Sequence, residues 1–527
     1  MIDTKALREK VLDLAIRGKL VPQDPSDEPA SVLLERIRAE KEQMVKDGKL
    51  KAKDIKNDTI IFKGDDNLHY EQFPDGTVTC IEDEIPFELP DGWAWCRFSS
   101  AFIINPRNQL SDDMSVSFVP MPLIQEGYAN KHTDEEKIWG SVKSGFTHFA
   151  NNDVGIAKIT PCFENKKSVV FKGLKNGYGA GTTELHIIRT IGNLIYPEYV
   201  LWNVKTDAFI SNGIKAFSGA VGQKRIGKDF IEKSLIPIAP TNEQKRILEL
   251  ISIAFEYLDS IETSKEAFKV DIQSIKSKIL DLAIRGKLVP QNPDDEPASV
   301  LLERIRAEKE ELIKQGKIKR DKKESVIFKG EDNSYYRLTS DNKSYNADIP
   351  FEIPKSWQWT TIPSVASVEL GKTLDKAKNT GLYHPYLRSV NVQWGYVDLS
   401  DLNEMKFEEY EIDKYSIKRN DLLICEGGDV GRCCIWERND TFLYQNALHR
   451  VRFYADLEPR FYLYVMMLYE SLGILKNIST GVTIKHLTGN VLSAMSVPLP
   501  PLTEQKRIVD AIETAFAQLD EILNSIL

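Results

Sequence analysis

The sequence predicts an α/β protein built twice over: two pseudo-twofold-related α/β domains separated by an antiparallel pair of long helices, a coiled coil. Three observations predict it. From Ile247, the residues Ile251, Ala254, Leu258, Ile261, Phe268, Ile272, Ile275, Ile279 and Leu282 follow at alternating steps of four and three, and only Lys265 interrupts them. Such a stripe makes a narrow apolar seam along a helix that packs lengthwise on another helix. Second, Glu504-Gln505-Lys506-Arg507-Ile508 repeats Glu243 to Ile247, and the match runs on through Ile512, Ala515, Phe516, Leu519, Asp520 and Ile522 at a shift of 261. Third, Lys10 to Gln23 repeats Lys278 to Gln291 at a shift of 268, with one conservative change at Val11. On these shifts the last and first segments rebuild the central helix, two residues short. The chain reads as a ring of two similar halves, cut within one of its two long helices.

In chain order, residues 1–91 form an N-terminal helical region: a half-helix, a turn-rich link, and an amphipathic helix over Ser31–Lys46. Glu28–Glu42 is identical to Glu296–Glu310 at all fifteen positions. Identical charge in both halves predicts that each copy meets the same partner, with Leu33, Ile37, Leu301 and Ile305 as its contact residues. Strand-like Ile60–Gly64 matches Val326–Gly330, and the paired tryptophans Trp93/Trp95 and Trp357/Trp359 read as core anchors at the entry to each globular domain. The first domain spans 92–236. The central region, 237–355, carries the long spacer helix over about 241–285, which Thr241 and Gln244 can cap and Gly286 with Pro290 can stop. At ~1.5 Å per residue that run would span roughly 66 Å, longer than a compact domain is wide. The second domain spans 356–497, and 498–527 completes the other rail. The seam residues are Ile247, Ile251, Leu258 and Ile272 on one rail, with Ile508, Ile512 and Leu519 on the other.

The two domains diverge in sequence, yet short strands fall at comparable places: Gly155–Ile159, Ser168–Phe171 and Glu184–Ile188 in the first, Leu422–Cys425, Cys433–Trp436 and Ala447–Phe453 in the second. Each ends in a short helix (Pro197–Asn203; Pro459–Tyr469), a Gly-containing loop (Ser218–Arg225; Thr480–His486) and a final strand. Similar frames with divergent inserts suit two readers of different targets.

Composition limits the function. The net charge of −9 is uneven: +4 between Arg97 and Ile236, −2 between Thr361 and Val497, and −11 over the remainder. This chain alone should bind polyanions weakly. No apolar run spans a membrane, and Met1–Lys10 is unlike a signal peptide, which predicts a cytoplasmic protein. The six cysteines form no CxxC and read as reduced thiols without a zinc site.

Together, the doubled LDLAIRGKLVPQ, the DEPASVLLERIRAEKE pair, the Ile-Pro-x-x-Trp-x-Trp entries, Lys158–Lys166 (KITPCFENK) and the two Glu-Gln-Lys-Arg-Ile helix starts resemble the specificity subunits of Type I restriction–modification systems. The resemblance covers essentially the whole chain. It implies a non-catalytic reader of double-stranded DNA with two target recognition domains, each taking one half of a split site. It further implies docking of two modification subunits, which bring S-adenosylmethionine and an adenine-specific methyltransferase site. Two restriction subunits, which use ATP and Mg, can join that core. No cofactor is expected on this chain itself. The long charged stretch between residues 24 and 84 departs from a simple repeat.

The residues agree with a non-catalytic part. There is no Asn-Pro-Pro-Tyr element, no G-x-G-x-x-G after a strand, and Gly371-Lys372-Thr373 lacks the glycine that a phosphate loop needs. Asp153, Glu164 and Lys166 share the D…ExK spacing of some metal-dependent nucleases. A self-contained nuclease or methylase is therefore one rival reading, and a scaffold spacing two protein-binding domains is another. For DNA contact the candidates are Lys166, Lys167, Gln223, Lys224 and Arg225 in the first domain. In the second they are Arg388, Asn391, Arg432, Lys485 and His486. Arg and Lys can take guanine O6/N7, and Gln or Asn adenine N6/N7.

Overall fold

The structure is a computed structural model describing residues 2–526 except 221–223, 321–324, 376–378 and 482–484. The chain divides into two compact units, Ile2–Ser264 and Lys265 onward. Each unit has its own rail, its own amphipathic helix and its own α/β domain. In the first, helix α1 (Thr4–Ile16) precedes α2 (Ala30–Lys46), and the long helix α3 (Thr241–Ile284) begins where the domain ends. In the second, the end of α3 is followed by α4 (Ala298–Lys314), and α5 (Leu502–Ile526) closes the unit.

The repeated motifs turn out to be ties within each unit. Arg8 of α1 pairs with Asp259 (2.5 Å) and Glu262 (2.7 Å) of α3, while Gln23, further along, reaches Glu243 (3.1 Å), so the two helices run antiparallel. In the second unit Lys276 meets Asp520 (2.6 Å) and Gln291 meets Glu504 (2.5 Å), the same arrangement with α5 as partner. Asp27–Arg246 (2.8 Å) and Asp295–Arg507 (2.6 Å) fix the link ahead of α2 and α4. Lys41 and Lys309, both buried, donate to the carbonyls of Ser99 (2.7 Å) and Pro363 (2.8 Å). The Arg-Gly-Lys in each repeat ends its helix: Gly18 (φ +62°) and Gly286 (φ +66°) take the left-handed turn, and Lys19 and Lys287 donate back to Leu14 and Leu282.

The apolar seam forms with two corrections. Ile247, Ile251, Leu258, Ile272, Ile508 and Ile512 are buried, and Leu519 is half-buried. Ile275, however, is 46% exposed, and Phe255 is buried where the stripe offered Ala254. A straight α-helix drifts against a strict seven-residue repeat. Here the buried face also turns toward the domain, where Phe255 meets Trp202 edge-on at 5.1 Å. The helix start differs as well. The Thr241 hydroxyl donates to Leu194 O (3.0 Å) and Gln244 binds Tyr196 N and Ala239 O, so both tie α3 to the domain instead of capping each other.

Leu33, Ile37, Leu301 and Ile305 also need correcting as partner contacts. All four lie within the cores of their own units, at 0–1% exposure. Leu33 and Ile37 pack with Leu12, Trp93 and Ile247, and Leu301 and Ile305 with Ile284, Trp357 and Ile508. An amphipathic helix buries its apolar stripe wherever its own chain offers a core. What α2 and α4 leave outside is mostly charge: Glu35, Arg36, Glu40 and Glu42 on one, Glu303, Arg304 and Glu308 on the other, with Val300 exposed beside the latter.

Each α/β domain holds two four-stranded sheets. In the first domain one sheet runs Ser168–Val170, Val154–Ala157, Leu185–Arg189, Ile103–Ile104, with every neighbour antiparallel. The other runs Glu135–Ile138, Ser115–Val119, Tyr178–Gly181, Thr147–Ala150, and its inner pair is parallel. The second domain repeats both: Cys433–Ile435, Leu422–Cys425, Leu448–Phe453, Ala366–Leu370, and Asn403–Phe407, Leu382–Leu387, Phe442–Tyr444, Ser416–Ile417, again with an inner parallel pair. Entry and exit strands pair with each other, Ala94–Arg97 with Leu235–Ile238 and Gln358–Thr361 with Ser496–Leu499. Between amphipathic helix and domain each unit adds a three-stranded meander, at 60–80 and 325–346.

Candidate nucleic-acid interface

The Gly-containing loops are attached to both domains by the same backbone bonds. In the first domain Lys158, just past the strand Val154–Ala157, donates its N–H to Glu184 O (3.0 Å) and accepts from Ile226 N (2.9 Å). In the second, Glu426 donates to Ala447 O (3.0 Å) and accepts from Leu487 N (2.7 Å). Arg225 bridges to Ser218 and Ile159, and His486 to Thr480 and Gly427. Beneath each loop a buried histidine closes the frame: His186 Nε2 lies 3.1 Å from Ile226 O, and His449 Nε2 lies 2.9 Å from Leu487 O. Burial lowers both imidazole pKa values, so each ring is neutral and donates its one N–H to that carbonyl. At the far end of the same strand pair each domain buries an aspartate, Asp153 with Arg189 and Asp421 with Arg452, both at 2.7 Å.

On this frame several predicted residues come together. Arg225 grips Glu184 through two bonds, Nε at 2.9 Å and Nη2 at 2.8 Å. That pairing holds the carboxylate below and the guanidinium above their ordinary pKa values. Lys224, Lys485 and His486 are exposed. Gln223 lies outside the described residues. In the second domain Arg432 donates to Ser389 O (2.9 Å), and the Ser389 hydroxyl donates to Ala447 O (3.3 Å). Arg388 is the residue before Ser389 and pairs with Asp401 (2.7 Å). Arg432 thus reaches Ala447 through Ser389, and His486 bridges Gly427, the residue after Glu426, while the Arg388 side chain turns to Asp401. Both arginines keep a buried Nε that has no acceptor among the described residues.

Other predicted residues hold the fold together. Lys166 is buried, and its ammonium group binds Glu9 of α1, Asp207 (2.7 Å) and the Tyr128 hydroxyl (3.1 Å). The lysine is long enough to reach back to the rail, and the α1 carboxylate draws it inward. Lys167 is half-buried and donates to Met121 O (3.1 Å). Asn391, 2% exposed, binds Arg388 N, Asp398 O and Asp401 O, shaping the turn that presents Arg388.

The D…ExK triplet does not assemble. Asp153 is ion-paired in the core, Glu164 is exposed, and Lys166 faces α1. Among the described residues no group of His, Cys, Asp and Glu could hold a metal ion, and no helix is long and apolar enough to cross a membrane. Sequence reasoning missed Lys158, Glu184 and Glu426. The signal was available only by aligning the halves piecewise, because the shift is 268 at position 158, 263 at 184 and 261 at 225.

Known proteins agree with this architecture. Residues 354–527 match the family model described as the Type I restriction modification DNA specificity domain. The chain is 34% identical to the Type I restriction enzyme EcoAI specificity subunit of Escherichia coli, across 97% of this chain and 88% of that protein. It is 32% identical to the EcoEI specificity subunit of Escherichia coli, across 98% and 90%. In fold it resembles a chain solved in a study of assembly and conformational transition of the type I R-M system, with a TM-score of 0.53, 17% identity, and 84% and 94% coverage. The chain therefore belongs to the specificity subunits of Type I restriction enzymes, the non-catalytic subunits that give these systems their DNA sequence specificity.

Proposed function

We propose that each α/β domain reads one half of a bipartite, interrupted double-stranded DNA site, and that the helix pair sets the gap between the halves. The observation that carries this reading is the duplicated frame: the same backbone bonds hold loops of different chemistry in the two units. Two modification subunits dock on the duplicated helical regions and bring S-adenosylmethionine and the adenine methyltransferase site. Restriction subunits, with ATP and Mg, add to that core. The exposed, identical charge of α2 and α4 supports two equal docking sites, and the net charge of −9 supports a division of labour in which partners supply much of the phosphate contact.

The test is to methylate a random DNA library with the full chain assembled with its modification subunits, and to sequence the modified sites. An interrupted site with two unrelated halves is expected, together with weak, salt-sensitive binding by the chain alone. Methyl transfer by the chain alone would favour a self-contained enzyme. Methylation without sequence preference would favour a scaffold.

A further inference from the structure

Where the first domain places Lys158, Glu184 and Arg225 on the loop frame, the second places Glu426, Ala447 and His486. The residues beneath keep their chemistry: a neutral histidine under each loop, and a buried Asp–Arg pair at the far end of the same two strands. The three outward positions invert charge, lose it, or exchange a guanidinium for an imidazole. Positions that serve only folding would be expected to match, as their neighbours do. Positions that meet the ligand differ where the ligand differs.

We infer that these three positions are the specificity-determining triplet of each domain, and that in the first domain the Glu184–Arg225 pair reads a G·C base pair. This rests on the reading of each domain as a DNA reader. A guanidinium presents the paired donors that guanine O6 and N7 accept, and a carboxylate accepts from the cytosine N4 amine. The grip of Glu184 uses Nε and one Nη2 hydrogen and fixes the guanidinium plane, so the Nη1–Nη2 edge and the carboxylate's second lone pairs are the groups a base pair would meet, side by side in one orientation. Both side chains stay reachable, 39% exposed for Arg225 and 25% for Glu184. In the second domain Ala447 removes that carboxylate and Glu426 supplies one at a neighbouring position, which favours a base with an exocyclic amine there.

The experiment again sequences the sites methylated by the full chain with its modification subunits, now for Arg225→Gln, Glu184→Gln, Lys158→Gln and the double exchange Glu184→Arg/Arg225→Glu. Each single ion-pair variant should relax one G·C position of the first half-site, with discrimination falling by roughly 5- to 150-fold. The second half-site should stay as it was. The double exchange separates a reader from an ordinary ion pair: it re-forms the pair with its charges reversed and should not return the parent site. Lys158→Gln leaves every backbone bond of the frame in place and should alter a position next to the G·C pair, so the triplet stays testable if the ion-pair variants fail to assemble. An unchanged first half-site in any assembled single variant, or a parent site restored by the double exchange, overturns the triplet alone. A parent complex that selects no interrupted site overturns the underlying reading with it.

Discussion

At the residue scale, two helix-ending glycines of the same unit differ in what surrounds them. Gly18 and Gly48 both end helices in the left-handed region, at φ +62° and +71°. A Cβ at Gly18 would stand 2.4 Å from Pro90 and 3.1 Å from Trp93, whereas one at Gly48 would meet nothing within 4 Å. Each alanine carries a backbone penalty of about 1–2 kcal/mol. Gly18→Ala adds the clash that breaks the join between rail and domain, so thermal denaturation should show it as clearly the more damaging of the two. The histidines under the loops give a pH signature. Burial keeps the folded-state pKa of His186 and His449 below 6.5, so the unfolded chain takes up protons that the folded chain refuses. Their contribution to stability is present at neutral pH and is lost as pH falls below about 6.5. Denaturant midpoints at pH 7.5 and 5.5 should differ more for the parent than for a His186→Gln/His449→Gln variant.

At the element scale, α2 and α4 carry opposite duties on their two faces. Leu33→Ala or Leu301→Ala removes a fully buried side chain and should cost about 2–5 kcal/mol of stability in its own unit. Arg36→Glu and Arg304→Glu change only the outer face and should leave the fold intact. Either alone should reduce bound modification subunit from two copies to one, and both together should abolish docking, as read by the mass of the purified complex. Unchanged mass in the double variant would place the docking face elsewhere. The long helix lends itself to a length test. Seven residues inserted between Leu258 and Phe268, with matching insertions in α1 and α5, should widen the preferred gap by about three base pairs, since seven residues rise ~10.5 Å and a pair rises ~3.4 Å. A folded, active variant with the parent gap would exclude the ruler.

These elements also show what the sequence made legible. Helices with long stripes and near-identical copies could be read to within a residue or two, because periodicity and repetition act over many positions; Ser31–Lys46 is observed as Ala30–Lys46. The second sheet of each domain was not legible. Its strands, such as Thr147–Ala150 and Phe442–Tyr444, are too short to alternate visibly, and they pair across gaps of tens of residues. The loop chemistry was half legible. Arg225 and Arg432 stand out as basic residues in loops, but Lys166 looks the same in sequence and is turned inward by Glu9, a residue 157 positions away. Glu184 and Glu426 gave no sign at all, because acidic residues are not expected at a polyanion until the frame places them beside an arginine or a base edge.

At the scale of the whole molecule, the chain is one scaffold used twice, with ties repeated nearly residue for residue and Gly-containing loops that are not. On the proposed reading, specificity resides separately in the two domains. Exchanging residues 92–236 for the corresponding domain of another specificity subunit leaves the rails, α2, α4 and the second domain unaltered. The decisive measurement is the set of sites methylated by that chimera, assembled with the same modification subunits, beside those of the parent. One half of the interrupted site should change to the donor's sequence while the other half and the gap remain. A chimera of normal mass that changes both halves, or neither, would contradict it.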